Sequence, residues 1–156
     1  MKQKIRYILI ILIIGIFLHS CERDDICIEP TTPHLIVRIY DKDNPNELKK
    51  INQLNVKIAN SLLNFSSTDS IVLPVRVDLD ETKYEFIINF EKEDESIDII
   101  SLTYTGEDIF VGRSCGYKTI FNNTSFTLNS KHWIDRIEPI EQQIENENQA
   151  HVKLFF

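Results

Sequence analysis

Ile71-Val72-Leu73-Pro74-Val75-Arg76-Val77-Asp78-Leu79 is the stretch on which the fold class turns. Ile71, Leu73, Val75, Val77 and Leu79 share one face of an extended chain, while Arg76, Asp78 and Asp80 take the other. That is the period-two pattern of a half-buried strand. Pro74 lies on the outer face, and its missing N–H predicts an edge strand.

The same period recurs on both sides of this run. Leu35, Val37 and Ile39 alternate with Ile36, Arg38 and Tyr40, and Leu54, Val56 and Ile58 alternate with Asn55, Lys57 and Ala59. Tyr84, Phe86, Ile88 and Phe90 face one way against Lys83, Glu85, Asn89 and Glu91, and the acidic residues 91–95 then form a turn. Between Ile97 and Tyr104 the apolar phase slips from Ile99 to Ile100, which predicts a bulge. Further strands are expected over Asp108 to Arg113, Tyr117 to Phe121 and Phe126 to Leu128, with a loop at Cys115-Gly116. Val152, Leu154 and Phe156 make a last strand. Trp133 to Ile144 is ambiguous: Ile134, Ile137, Ile140 and Ile144 have near-helical spacing, but Pro139 would break a helix centre, and strand is the favoured reading.

Composition agrees. The chain has 25 Ile against 2 Ala, and β-branched side chains suit a pleated surface better than a helix. About eight short strands with Asn, Asp and Ser turns predict an all-β fold, a single antiparallel β-sandwich of immunoglobulin or transthyretin type. A length of 156 residues allows one core. The ending Val152-x-Leu154-x-Phe156 also resembles the closing strand of an outer-membrane barrel, but the strands are short and their phase breaks. With only 4 Gly, no stretch supplies the clustered glycines of a nucleotide-phosphate loop.

The N-terminus reads as an address. Lys2, Lys4 and Arg6 precede an apolar run from Tyr7 to Leu18, which is too short to span a bilayer as a helix. The run closes on Leu18-His19-Ser20-Cys21, which resembles a lipobox. The resemblance implies cleavage before Cys21 and a lipid on its thiol. Residues 1–20 are then a signal peptide, 21–33 a lipid-anchored tether and 34–156 the sandwich. Loss of three basic residues moves the net charge from −7 to −10, which disfavours nucleic acid and an anionic lipid surface as partners. Glu22-Arg23-Asp24-Asp25 resembles the export signal that carries lipoproteins of Bacteroidota-type bacteria to the outer face of the outer membrane, and a solvated linker is the alternative.

With Cys21 lipidated, Cys27 and Cys115 remain in a compartment where disulfides persist. A bridge between them is the expectation, and two separate buried thiols are the alternative. Gly112-Arg113-Ser114-Cys115-Gly116 matches G-x-S-x-G, with Asp135 and His151 following in hydrolase order. That motif works on a strand-to-helix turn, whereas Tyr117 to Phe121 reads as strand. Asp41, Asp43, Asn44 and Glu47 have the oxygen density of a calcium loop without the EF-hand spacing. His34, His132 and His151 share no metal-ligand spacing, and no cofactor is expected. Phe110, Tyr117, Tyr104 and Trp133 are candidates for a ligand-binding patch.

Three blocks carry a wider resemblance: residues 21–27 followed by 31–36, then residues 112–121, then 145–148 followed by 150–154. They resemble a family of small uncharacterised lipoproteins of flavobacteria-type bacteria. The resemblance implies an outer-membrane lipoprotein without an established activity, with an outer-membrane β-barrel protein as a partner. The expected function is therefore non-enzymatic: binding or supporting another envelope component. A surface glycan- or calcium-binding module is the alternative, and a small hydrolase the remote one.

Overall fold

The computed structural model describes Ile26, Cys27 and residues 32–156. The expected signal peptide over residues 1–20, the expected lipidation of Cys21 and the acidic segment 22–25 lie outside the described residues.

The described residues form ten strands and no helix: β1 (Leu35–Tyr40), β2 (Ile51–Ile58), β3 (Ser61–Thr68), β4 (Ser70–Leu73), β5 (Glu81–Ile88), β6 (Ser96–Gly112), β7 (Gly116–Leu128), β8 (Arg136–Pro139), β9 (Gln143–Ile144) and β10 (Val152–Phe155). They form two sheets, of order β4-β1-β10-β8 and β3-β2-β5-β6-β7-β9. Each sheet has two ends, so the closed-barrel reading fails and the sandwich stands. Leu35, Val37, Val152 and Leu154 from the small sheet meet Leu54, Val56, Phe86 and Leu102 from the large one in a single core. The strand-to-strand alternation of β1 is complete, with Leu35, Val37 and Ile39 at 1%, 2% and 0% exposure.

One pairing is not antiparallel. β10 runs parallel to β1 from Val37↔Val152 to Tyr40↔Phe155, placing the C-terminal strand between β1 and β8. A parallel pair cannot be closed by a hairpin; here nearly the whole domain is the connection. His151 fastens its entry, donating its N–H to the Ile36 carbonyl at 2.9 Å and accepting the Ile36 N–H on Nδ1 at 3.0 Å.

The run that announced the fold is strand only over its first three residues, Ile71 to Leu73. β4 is an edge strand, as Pro74 required, but it ends at Leu73. Val77 and Leu79 are 60% and 50% exposed, because the chain leaves the small sheet after Pro74 to enter the large one. A ring of hydrogen bonds holds this crossing. The Arg76 N–H donates to Thr82 Oγ1 at 3.0 Å, the Thr82 hydroxyl lies 2.8 Å from the Tyr104 hydroxyl, and Tyr104 donates to the Arg76 carbonyl at 2.6 Å. Tyr84 donates to the Pro74 carbonyl at 3.0 Å.

The bulge predicted between Ile99 and Ile100 is absent. β5 and β6 pair in unbroken register from Glu81↔Thr103 to Ile88↔Ser96. The phase is carried instead by Asp98, Ile100, Leu102 and Tyr104, all buried, so a carboxylate occupies a core-facing position. β3 was not expected from its polar sequence, and the ambiguous Trp133 to Ile144 segment divides between the sheets as β8 and β9. Its near-helical isoleucine spacing comes from Ile134 and Ile144 entering the core from separate turns of the chain.

Candidate functional site: a stapled hairpin arm

β6 and β7 outrun the rest of their sheet. β5 pairs with β6 only as far as Thr103, and β9 meets β7 only at Phe121 and Asn122. Beyond those points the two strands pair with each other, through Asp108↔Thr119, Ile109↔Lys118 and Phe110↔Tyr117 to Gly112↔Gly116. Register shifts lie between Thr103 and Thr105 and between Phe110 and Gly112. At the turn Gly116 takes φ +71°, a conformation open to glycine without Cβ strain.

A lone two-stranded hairpin is marginal in water, since neither face is covered. Side chains brace this one. Thr119 donates to Asp108 Oδ1 at 2.6 Å, Asn122 to Glu107 Oε2 at 2.8 Å, and the Lys118 ammonium to the Glu145 carbonyl at 3.3 Å. The segment before β1 braces it too: the Thr119 N–H donates to Thr32 Oγ1 at 3.0 Å, and Cys27 is disulfide-bonded to Cys115 with their Cα atoms 4.9 Å apart. The expected bridge thus staples the start of the domain to the tip of the arm.

Near the tip, Phe110 and Tyr117 meet edge to face with ring centroids 5.3 Å apart, yet they are 60% and 70% exposed. Ile26, beside the bridge, is 84% exposed. The four aromatics proposed as one patch are in fact divided. Tyr104 packs on Phe121 inside the core, and Trp133 packs on Phe156 while donating Nε1–H to the Phe86 carbonyl.

The hydrolase residues are not brought together. Ser114 is exposed in the turn of the arm, and Cys115 is a half-cystine. Asp135 pairs with Lys131 and Arg136. Both His151 ring nitrogens are taken: Nδ1 accepts from Ile36, so Nε2 carries the proton and donates to the Asn146 carbonyl at 3.0 Å. Burial pushes this imidazole below its ordinary pKa, against the opposing pull of Asn146, Glu141 and Glu147.

In the 41–47 loop, Asp41 accepts the Asp43 N–H and pairs with the Lys49 ammonium at 3.3 Å, and backbone bonds between Asp41, Asn44 and Glu47 close the turn. Among the described residues no group of three or more His, Cys, Asp or Glu side chains is arranged to hold a metal ion. Inside the sandwich, the cavity between Leu35, Tyr84, Phe126 and Ile137 measures about 10 Å³, room for one water and not for a ligand.

A shallow polar groove lies at the base of the arm, lined by Asn122, Asn123, Glu141, Gln142, Gln143 and Glu145. Sequence reading passed over it. The adjacent amide pairs Asn122-Asn123 and Gln142-Gln143 were its only signal, and their convergence depends on β9 pairing with β7.

The molecule is a β-sandwich with a disulfide-stapled, aromatic-tipped hairpin arm. The chain belongs to a family of unknown function, DUF6452, whose pattern spans residues 50–156. Cys115 falls within that span and Cys27 before it. No curated protein and no solved structure matches the chain.

Proposed function

We propose that this is a lipid-anchored, non-enzymatic protein of a bacterial outer membrane of the Bacteroidota type, which binds or supports another envelope component, with an outer-membrane β-barrel protein as the partner. The observation that carries the reading is the Cys27–Cys115 bridge. It joins the segment that follows the lipobox cysteine to a rigid arm, an attachment device in place of a cleft. Support for binding comes from β3, whose eight residues Ser61–Thr68 contain neither charge nor proline and which hydrogen-bonds to β2 alone among the described strands. Natural sheet edges are usually blunted by charge, proline or bulges, so an unguarded one is suited to receiving a partner strand.

Intact-mass analysis of the membrane-purified protein is expected to find a diacylglyceryl thioether on Cys21. A photo-crosslinker at Leu62 in living cells is expected to trap one recurring envelope protein, and one at Glu93 is not. An unmodified Cys21, or no recurring adduct from Leu62, overturns the proposal.

The groove around Asn122 and Gln143 favours a second reading, a glycan-binding module, since paired amides and carboxylates match sugar hydroxyls in donors and acceptors. Envelope polysaccharide that shifts the thermal melt of the wild type but not of Gln143→Ala would support it; a melt unmoved by the polysaccharide removes it.

A further inference from the structure

We infer that the tip of the hairpin arm seats on the lipid surface to which Cys21 is anchored, so that the protein meets its membrane at two points and has a set orientation. The inference rests on the lipid-anchor reading above and adds a second contact to it. Three observations carry it.

Reach comes first. Six residue steps separate Cys21 from Cys27, about 21 Å at full extension. The bridge to Cys115 passes that limit on to the arm, so Cys115 stays within about 26 Å of Cys21, close enough for the turn at residues 113–116 to rest on the headgroups.

Chemistry is the second. Ile26, Phe110 and Tyr117 are all more than half exposed and belong to one end of the molecule, through the bridge and the Phe110↔Tyr117 pairing. An apolar ring beside a ring with a hydroxyl suits the membrane–water boundary, where one end of a side chain is dry and the other wet.

Charge is the third. The chain carries −7 overall, and Lys118 and Asp108 are both held within the arm by their contacts to Glu145 and Thr119, but the turn at residues 113–116 carries Arg113 and no carboxylate. The turn itself is therefore an exception to the acidity that sets the rest of the protein against anionic lipid. The neighbouring tether is itself acidic at Glu22, Asp24 and Asp25, so the attraction must come from the arm. With the arm down, β3, at the opposite edge of the six-stranded sheet from β9, remains open to a partner.

The test uses the full mature protein, purified from membranes and reconstituted into vesicles of phosphatidylethanolamine and phosphatidylglycerol with brominated acyl chains. Phe110→Trp adds a reporter at the tip, and the parent protein, whose single Trp133 packs against Phe156, is the reference. Phe110→Trp emission is expected to shift to the blue and weaken several-fold in the brominated vesicles, while Trp133 emission is unchanged. The additional change Arg113→Glu, at an exposed turn residue, is expected to reverse much of the quenching. A protein that does not co-sediment with vesicles, or has no acyl group by mass, removes the lipid anchor and this inference together. An acylated, co-sedimenting protein whose tip reporter is not quenched overturns the inference alone, as does a tip that crosslinks in cells to protein and not to lipid.

Discussion

Asp98 Oδ2 accepts the backbone N–H of Ile134 at 2.7 Å, inside the core and 36 residues along the chain. The same oxygen accepts the Trp133 N–H at 2.8 Å, and Oδ1 accepts the His132 N–H at 2.7 Å. One fully buried carboxylate thus organises the turn that leads from the large sheet into β8. Burial alone would raise its pKa; the N–H groups of Ile134, Trp133 and His132, with the His132 ring, outweigh that and hold it below the ordinary carboxylate range. Asp98→Asn keeps the shape but turns an amide N–H₂ toward at least one of these donors. It is expected to cost about 2–4 kcal/mol, because buried donors left without an acceptor lose their full desolvation energy. Urea denaturation of the purified variant measures this.

Two buried groups contribute to the acid response, in separate windows. His151 is neutral in the fold with a depressed pKa, so the unfolded chain binds the extra proton; its contribution is present above about pH 6.5 and is lost as pH falls below that value. Asp98 also has a depressed pKa, and its contribution is present above about pH 3.8 and lost below it. Stability measured against pH should therefore decline first on the acid side of 6.5 and more steeply under 4. His151→Gln, which can still accept from Ile36 and donate to Asn146, is expected to flatten the first decline and leave the second.

The hydrogen-bonded ring at the sheet crossing is expected to act as a unit. Tyr104→Phe removes the link between Thr82 and the Arg76 carbonyl, and Thr82→Val removes the acceptor for the Arg76 N–H. Each is expected to destabilise by about 1–3 kcal/mol. The double variant should lose less than the sum, since either change already opens the ring. Full additivity in a double-mutant cycle would show three independent bonds instead.

For the disulfide the entropic treatment of a span of 88 residues gives about 4.6 kcal/mol. The reduced tether, however, also regains freedom in the folded state, so the expected loss for Cys27→Ser with Cys115→Ser is about 2–3 kcal/mol. The sheets should survive. Limited proteolysis is expected to cut first within residues 109–118, where the arm depends on the staple.

How far the sequence could be read follows the range of the interactions. β1 and the two-cysteine bridge were legible because alternation and cysteine counting need no partner to be known. The stretch from Ile71 misled past Leu73 because Val75, Val77 and Leu79 keep the alternation while the chain is crossing between sheets. Asp98 disguised the phase of β6, because its burial depends on donors 34–36 residues away. β3 went unseen because only its register against β2 makes Leu63 and Phe65 a face. Scarce glycine was also a weaker guide than it looked. Gly116 needs its positive φ, but Ala59, Ser67, Asn89, Glu91 and Asn123 adopt the left-handed region without glycine. The arm was legible as two strands and a loop, and its projection was not, since that depends on where β5 and β9 stop.

Phe110 and Tyr117 separate stability from use. A buried residue such as Leu54, at 0% exposure, should cost about 2–5 kcal/mol when cut to alanine. The exposed pair contributes only a cross-strand contact, so Phe110→Ser with Tyr117→Ser is expected to cost less than about 1 kcal/mol. Two large rings held in water at the end of a stapled arm are thus poorly explained by folding. The double variant should melt almost as the parent does, yet lose the tip's contact in reconstituted vesicles, read by collisional quenching of a label at Ser114. A large fall in the melting temperature would instead make the rings part of the scaffold and remove the reason to look for what they touch.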